Sequence, residues 1–164
     1  MVTLQKLNVL NRTLVIGRRW NVWWQNLTLY LPEQVTHVAH TFGKLHIRSA
    51  VDYFIIAKNE FPWHRLPDVV IARRGYDNYL VMLAVRERVS VVDITNTLVA
   101  AHQTDTETMD RRRHFVDHEF NMQHLPPFNY TDGWTSSSQY LTNLARDRLH
   151  NLTSIVIWRR QYAI

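Results

Sequence analysis

The densest group of side chains able to do chemistry runs from Arg73 to Tyr79, in the order Arg-Arg-Gly-Tyr-Asp-Asn-Tyr. One carboxylate, Asp77, stands between two phenols, Tyr76 and Tyr79, with Asn78 beside it and Arg73 and Arg74 just ahead. An aspartate held near cations and aromatic rings can accept the proton of an attacking hydroxyl. The paired arginines suit phosphate, which a planar guanidinium binds through two parallel hydrogen bonds. The same aspartate also has a plain structural use, because a negative charge in the first turn of a helix is stabilised by the helix dipole. Residue type alone leaves both uses open.

Three other groups carry chemical potential. Asp52 lies in the apolar stretch Ala50-Val51-Asp52-Tyr53-Phe54-Ile55-Ile56. A carboxylate buried there needs a partner, and Arg18 or Arg73 can supply the cation in a structural ion pair. His102 follows an apolar run, with Asp105 three residues on. It reads either as a hydrogen-bonded structural histidine or as a ligand in a metal or phosphate site. His114, Asp117, His118, Glu119 and His124 form a metal-ligand inventory. His114 and His118 would share one face of a helix, but no Glu follows the first His, so the zinc-protease pattern is missing.

These groups need elements to hold them. Arg12 to Ile16 is an apolar run stopped by Gly17, which predicts a short strand and a turn. Val22 to Leu31 fits strand or helix. Pro32 opens a short helix through His40, and residues 49–57 end in a buried strand. Pro62 and Pro67 mark an irregular loop, and Val69 to Ile71 form another short strand. After Gly75, the positions Tyr76, Tyr79, Leu80, Leu83 and Ala84 follow helical spacing, ending at Arg86-Glu87-Arg88. Val89 to Asp93 reads as a strand buried on both faces, as in a parallel sheet. Strand, helix and strand over 69–93 make a crossover unit. Residues 125–138 are loop-like, Gln139 to Leu149 reads as a last helix, and Ser154 to Arg159 as a closing strand. The class is α/β, or α+β, with no repeat and no linker dividing 1–164 into two domains.

Composition narrows the field further. At 164 residues, 46% hydrophobic and 20% charged, the chain has the length of one domain and enough apolar material for a core. No cysteine is present, which excludes a disulfide framework, a thiol nucleophile and an iron–sulfur site. No apolar run is long enough to span a bilayer, and no signal-peptide pattern follows Met1. Four Asn-x-Thr sequons, at Asn11, Asn26, Asn129 and Asn151, point toward secretory exposure, whereas the missing cysteines point away from it. The compartment stays open: cytoplasm, or the secretory lumen if a longer gene product carries a targeting segment. The formal charge of +5 favours anionic partners. The basic residues come in short runs such as Arg18-Arg19, Arg111-Arg112-Arg113 and Arg159-Arg160, mixed with acids, which argues against a dedicated nucleic-acid module. P-loop, G-x-G-x-x-G, G-x-S-x-G and D-x-D patterns are all missing.

Five short strings, in order, resemble a glycosyltransferase-like family with a GT-A type, nucleotide-diphospho-sugar transferase fold. Val15-Ile16-Gly17-Arg18-Arg19-Trp20-Asn21-Val22 is similar to its G-R-R-x-N-V segment, and Ala50 to Ile56 to its I-D-Y-F-V-F strand. Ile71-Ala72-Arg73-Arg74-Gly75-Tyr76-Asp77-Asn78-Tyr79-Leu80 resembles its I-G-R-x-x-W-D-N-W-L signature, with Ala72 for Gly and tyrosines for both Trp residues. Val91 to Thr95 and Ala101-His102-Gln103 resemble V-I-D-A-T and I-H-Q. The family's following Asn-His-Asp-Tyr is here Thr-Asp-Thr-Glu. The resemblance covers about residues 13–105 and leaves 106–164 as an extension without assignment.

The resemblance implies a partial GT-A-like mixed sheet with flanking helices: the acceptor-side half, without the N-terminal nucleotide-binding half. It implies transfer of a sugar from a nucleotide-sugar donor to a carbohydrate or glycoconjugate hydroxyl. Asp77 would be the base or would orient the acceptor, with Tyr76, Asn78 and Tyr79 lining the acceptor pocket. Arg18, Arg73 and Arg74 would offset phosphate charge or pair with Asp52, and His102 would approach a divalent metal, Mn or Mg, on the diphosphate. The alternative is a non-catalytic carbohydrate-binding or interaction protein descended from such an enzyme.

Overall fold

The apolar run Leu14-Val15-Ile16 forms an interior strand of the larger sheet. In the computed structural model, which describes residues 12–23, 31–71, 73–103, 119–147 and 152–160, it lies in β1, Thr13–Gly17. β1 pairs antiparallel with β4, Tyr53–Ile55, and parallel with β5, Ser90–Asp93. A strand paired on both edges and covered on both faces must be apolar at every position. Accordingly, Leu14 and Ile16 bury on one face with Val89 and Val91, and Val15 on the other with Val92 and Ile94.

The first face is covered by a helix, Tyr76–Arg86, labelled α2 below because Pro32–Phe42 is α1. Seven consecutive residues of α2, Asn78 to Ala84, are buried, so this helix is enclosed nearly all round. Gly75 turns the chain into it at φ 94°, a conformation that side-chain-bearing residues rarely adopt. β5 pairs parallel with β7, Tyr140–Asp147, and β7 pairs antiparallel with β8, Leu152–Arg159, giving the five-stranded order β4-β1-β5-β7-β8.

After Gly17 the chain crosses at Arg18 into a second sheet. β2, Arg19–Val22, pairs antiparallel with β3, Lys44–Leu45, and parallel with β6, Ala100–Gln103. α1 packs on this sheet through Val38 and Ala39 against Val22, Trp20 and Val99. The two chain segments therefore run side by side through both sheets. Their register changes from Ile16 opposite Asp93 to Arg19 opposite Ala100, offsets of 77 and 81, so four extra residues loop out between β5 and β6. The Thr95 hydroxyl in that loop accepts from the Arg18 N–H at 3.0 Å, which satisfies the backbone where the sheets part.

The architecture is thus mixed α/β, with two mixed sheets and few helices. The strands expected at residues 12–16, 89–93 and 154–159 and the helices after Pro32 and Gly75 are present. Three expectations need correction. Where a helix was expected over Gln139 to Leu149, residues 148–149 lie outside the described residues and 140–147 is strand β7. Its leucine spacing suits a helix, but the register with β8 gives it a partner at every residue from Tyr140 to Asp147. Thr142, fully buried, meets the Thr97 hydroxyl at 2.5 Å, and Asn143 accepts from the Asn96 amide at 2.7 Å. Val69 to Ile71 is not a strand, because the side-chain amide of Asn121 occupies both backbone groups of Val70. The strand that precedes α2 and runs parallel to β5 is instead β1, and the crossover between them includes α2. Within 49–57 only Tyr53–Ile55 pairs, at the sheet edge.

Of Val22 to Leu31, read as strand or helix, Val22 ends strand β2, while segment 24–30 lies outside the described residues, as do Ala72, Asp105, Arg111 to Arg113, His114, Asp117 and His118. Among the described residues no helix is long and apolar enough to cross a membrane.

One loop docks on α2 without space for a side chain. Gly133 ends the 3-10 turn Tyr130–Gly133, and a Cβ there would fall on the backbone carbonyl of Asn78. The Asn78 amide donates to Gly133 O at 3.0 Å and to Ser49 O at 2.8 Å, pinning both segments to the helix. Gly133→Ala is expected to cost about 3 kcal/mol or more of stability, read as a shift in urea midpoint, because the clash is backbone on backbone.

Candidate functional site

An open cavity of about 420 Å³ lies at the carboxyl end of β1 and the amino end of α2. Ligands of open α/β sheets sit in this position, outside the carboxyl ends of the strands. Its polar lining is Asp52, Asp77, Arg19, Arg73 and Arg74, and Tyr76 and Phe54 form an aromatic wall. Segments far apart in sequence therefore meet in one place: Arg19 just beyond Gly17, the start of β4, and the turn into α2.

Asp77 owes its place to the first turn of α2. Burial pushes its pKa up, and the charge of Asp52 adds to the rise. Backbone hydrogen bonds from Asn78, from Asp77 itself and from Val51 pull the other way without cancelling it. None of the ion pairs seen among the described residues includes Asp77. A cavity carboxylate of raised pKa and no fixed cation is a competent proton acceptor. The Tyr76 ring meets Phe54 edge to face at 6.4 Å, and burial, then Asp77, raise its phenol pKa, so it stays protonated and able to donate.

Asp52 has a different task. Its carboxylate receives Nη1 of Arg19 at 2.9 Å and the Arg19 backbone N–H at 3.0 Å. Arg19 Nε donates to Asn21 at 2.9 Å, and the Asp52 N–H donates to Gly17 O at 2.9 Å. The pair thus clamps the point where the chain changes sheets. The expected partner, Arg18 or Arg73, is corrected to Arg19. Successive residues of an extended chain point to opposite sides, and Arg18 lines a different cavity.

Arg74 is oriented by aromatic packing. Its guanidinium lies 5.5 Å over the Tyr130 ring; Tyr130 stacks on Phe128 at 5.2 Å, and Phe128 meets Tyr79 edge to face at 5.3 Å. Tyr79 is therefore a core residue, 5% exposed, at the root of this aromatic chain. Asn78 is buried as well, with its amide donated to two carbonyls. Both were expected to touch an acceptor, and both are corrected to structural positions: Tyr76 and Asp77 reach the cavity while Asn78 and Tyr79 turn to the core.

His102 is exposed on β6, opposite Asn21, and does not line the cavity. His46 lies in that neighbourhood, with its pKa lowered first by burial and then by Arg19. Among the described residues no group of three or more His, Asp or Glu side chains could hold a metal.

Three contributors escaped the sequence reading. Phe54 carries only a strand signal in the sequence, and Arg19 is adjacent to Arg18 with nothing in residue type to separate their roles. Asn121, fully buried, fixes the loop carrying Arg73 and Arg74 through Val70 and through a 3.4 Å bond to Arg74 O. A lone Asn in a polar stretch gives no signal of that role.

Fold and site together define a mixed α/β protein with an arginine-rimmed, aromatic-walled cavity around a carboxylate. Compared with protein-family models, curated proteins and solved structures, the chain matches none.

Proposed function

We propose that this chain is a glycosyltransferase-like domain whose cavity receives the acceptor hydroxyl of a carbohydrate. The observation that carries the reading is the position of Asp77: its carboxyl lines the cavity, raised in pKa, beside the Tyr76 phenol and the arginine pair. The two mixed sheets are read as the acceptor-side half of a GT-A-like fold. In the reaction, the acceptor oxygen forms a bond to the anomeric carbon of the donor sugar. The bond from that carbon to the diphosphate oxygen breaks, the electron pair leaves with the diphosphate, and the acceptor proton passes to Asp77. Tyr76 and Phe54 present apolar faces to the sugar ring. Arg73 and Arg74 place positive charge where the leaving diphosphate becomes more anionic.

The resemblance also implies a divalent cation bound with the donor. The described residues do not fit it: Asp52 is held by Arg19, Asp77 by backbone N–H groups, and no third ligating side chain joins them. No step is therefore drawn through a metal. The second reading is a carbohydrate-binding protein without transfer, which the aromatic wall of Tyr76 and Phe54 would equally serve.

The test is an NMR titration with a panel of oligosaccharides, followed by transfer assays with nucleotide sugars read by mass spectrometry. Saccharides are expected to perturb the signals of Tyr76 and Asp77, and Tyr76→Ala to weaken binding about fivefold to tenfold, the worth of one aromatic face. Binding without transfer, when a nucleotide-binding half is supplied in the assay, selects the second reading. If no saccharide perturbs the cavity, both fall.

A further inference from the structure

We infer that a second, smaller cavity, on the other side of the Gly17–Arg19 crossing, is a binding site for a tetrahedral oxyanion: inorganic phosphate or a phosphoryl group. This inference does not depend on sugar transfer. The cavity has a volume of about 210 Å³ and is lined by Arg18, Arg48, Arg160, Asp93, Asn96 and Ser136, among others. It is smaller than the usual small-molecule site, which runs from roughly 300 Å³ upward, and suits one compact anion with its waters. It lies beyond the carboxyl ends of the parallel strands β1 and β5, where Arg18 and Asp93 stand.

The charge balance is the first argument. Asp93 is fully committed: one oxygen accepts from the Thr95 N–H at 2.9 Å and from its hydroxyl at 2.5 Å, the other from Arg160 Nη2 at 2.9 Å. Arg160 also donates through Nε to Ser138 at 3.1 Å. That pair cancels itself. Arg18 and Arg48 remain, two guanidinium charges facing one cavity with no carboxylate on either among the described residues.

The second argument is the chemistry of the lining. Arg18 is anchored through Nη1, which donates to His46 O at 3.1 Å, so its charge is held at the wall. Water in the cavity would leave that charge uncompensated, whereas the planar guanidinium fork matches the oxygens of a tetrahedral anion. Ser136 stands at the same wall as a further polar residue. An oxyanion is the chemical complement of this excess positive charge.

Calorimetric titration with inorganic phosphate at fixed ionic strength tests the inference. Arg48 is a safe position to change, because its exposed side chain is separate from its backbone carbonyl, which holds Thr135. Arg48→Ala and Arg18→Gln are each expected to weaken phosphate at least tenfold. Lys58→Ala removes the same charge from an exposed position outside both cavities and should change affinity less than twofold. A hexose phosphate in parallel separates the two sources of the anion. Tighter binding than inorganic phosphate, with the same dependence on Arg48, means that the site takes a phosphoryl group on a larger ligand. Equal or weaker binding means the free ion. Phosphate binding that ignores both arginine changes, responds equally to Lys58→Ala, or never saturates overturns the inference, including the case in which phosphate sits at Arg73 and Arg74 instead.

Discussion

On the proposed reading, Asp77→Asn is expected to lower sugar transfer, assayed with a nucleotide-binding half supplied, by about 10²- to 10⁴-fold, the usual worth of a positioned general base, while folding stability at neutral pH holds or rises. The second half follows from the pKa. In the folded chain the Asp77 carboxyl titrates above its ordinary value, chiefly because it is buried. Between the unfolded and folded pKa values the native state binds more protons than the unfolded state, so stability falls as pH rises through that window. Above the folded pKa the full penalty of the buried charge is present. Asparagine keeps an acceptor oxygen for the Asn78 and Val51 N–H groups and carries no charge, so it relieves the penalty. The variant should melt at or above the wild-type temperature at pH 7, and the difference should shrink as pH falls toward the carboxylate range. Transfer by the wild type should rise with pH through the folded Asp77 pKa, because the base must be ionised. A residue serving only as a helix-start anion would behave otherwise: its loss would lower the melting temperature and leave activity in proportion to the folded fraction. Paired melting curves and turnover rates at several pH values separate the cases.

The sequence carried most of the core and about half of the cavity. Leu14 to Ile16 and Val89 to Val92 were legible because a central parallel strand is apolar at every position. α2 was legible because helical spacing and a glycine start coincide at one place. Asp77 and Tyr76 were legible because their strand-to-helix turn lies where α/β cavities form. Tyr79 and Asn78 were misjudged for a related reason: a four-residue motif spans more than one turn of helix, so its members cannot all face the same way. Arg19 was missed because adjacent arginines in an extended segment serve opposite sides, and the side is set by pairing with β3 and β6. The β7–β8 hairpin was lost because Leu141, Leu144 and Ala145 satisfy helical spacing, while the strand choice depends on partners far along the chain.

Asn121→Ala is expected to destabilise the protein by about 3 kcal/mol and, beyond that, to loosen the segment that presents Arg73 and Arg74. Asn121 is fully buried. Its Oδ1 accepts the Val70 N–H at 2.7 Å, and its Nδ2 donates to Val70 O at 3.0 Å and to Arg74 O at 3.4 Å. One side chain thus does for Val70 what a neighbouring strand does for a residue in a sheet. Alanine leaves a backbone donor and acceptor without partners, each about 1 to 3 kcal/mol when water cannot reach them, and adds a small void. Partial access of water at Val70 brings the sum down to the figure given. For a chain of this length that is a fall of about 6 to 12 °C in melting temperature. Hydrogen exchange supplies the sharper reading. The Val70 amide should lose protection by more than the global change in stability allows, while amides in β1 and β5 follow the global value. Binding of any ligand to the larger cavity should weaken further than the folded fraction explains, since the arginine pair would no longer be held at the cavity rim. If Val70 exchange tracks the core and ligand affinity is unchanged, Asn121 merely fills space, and the geometry of the arginine rim must come from Tyr130 and Phe128 alone.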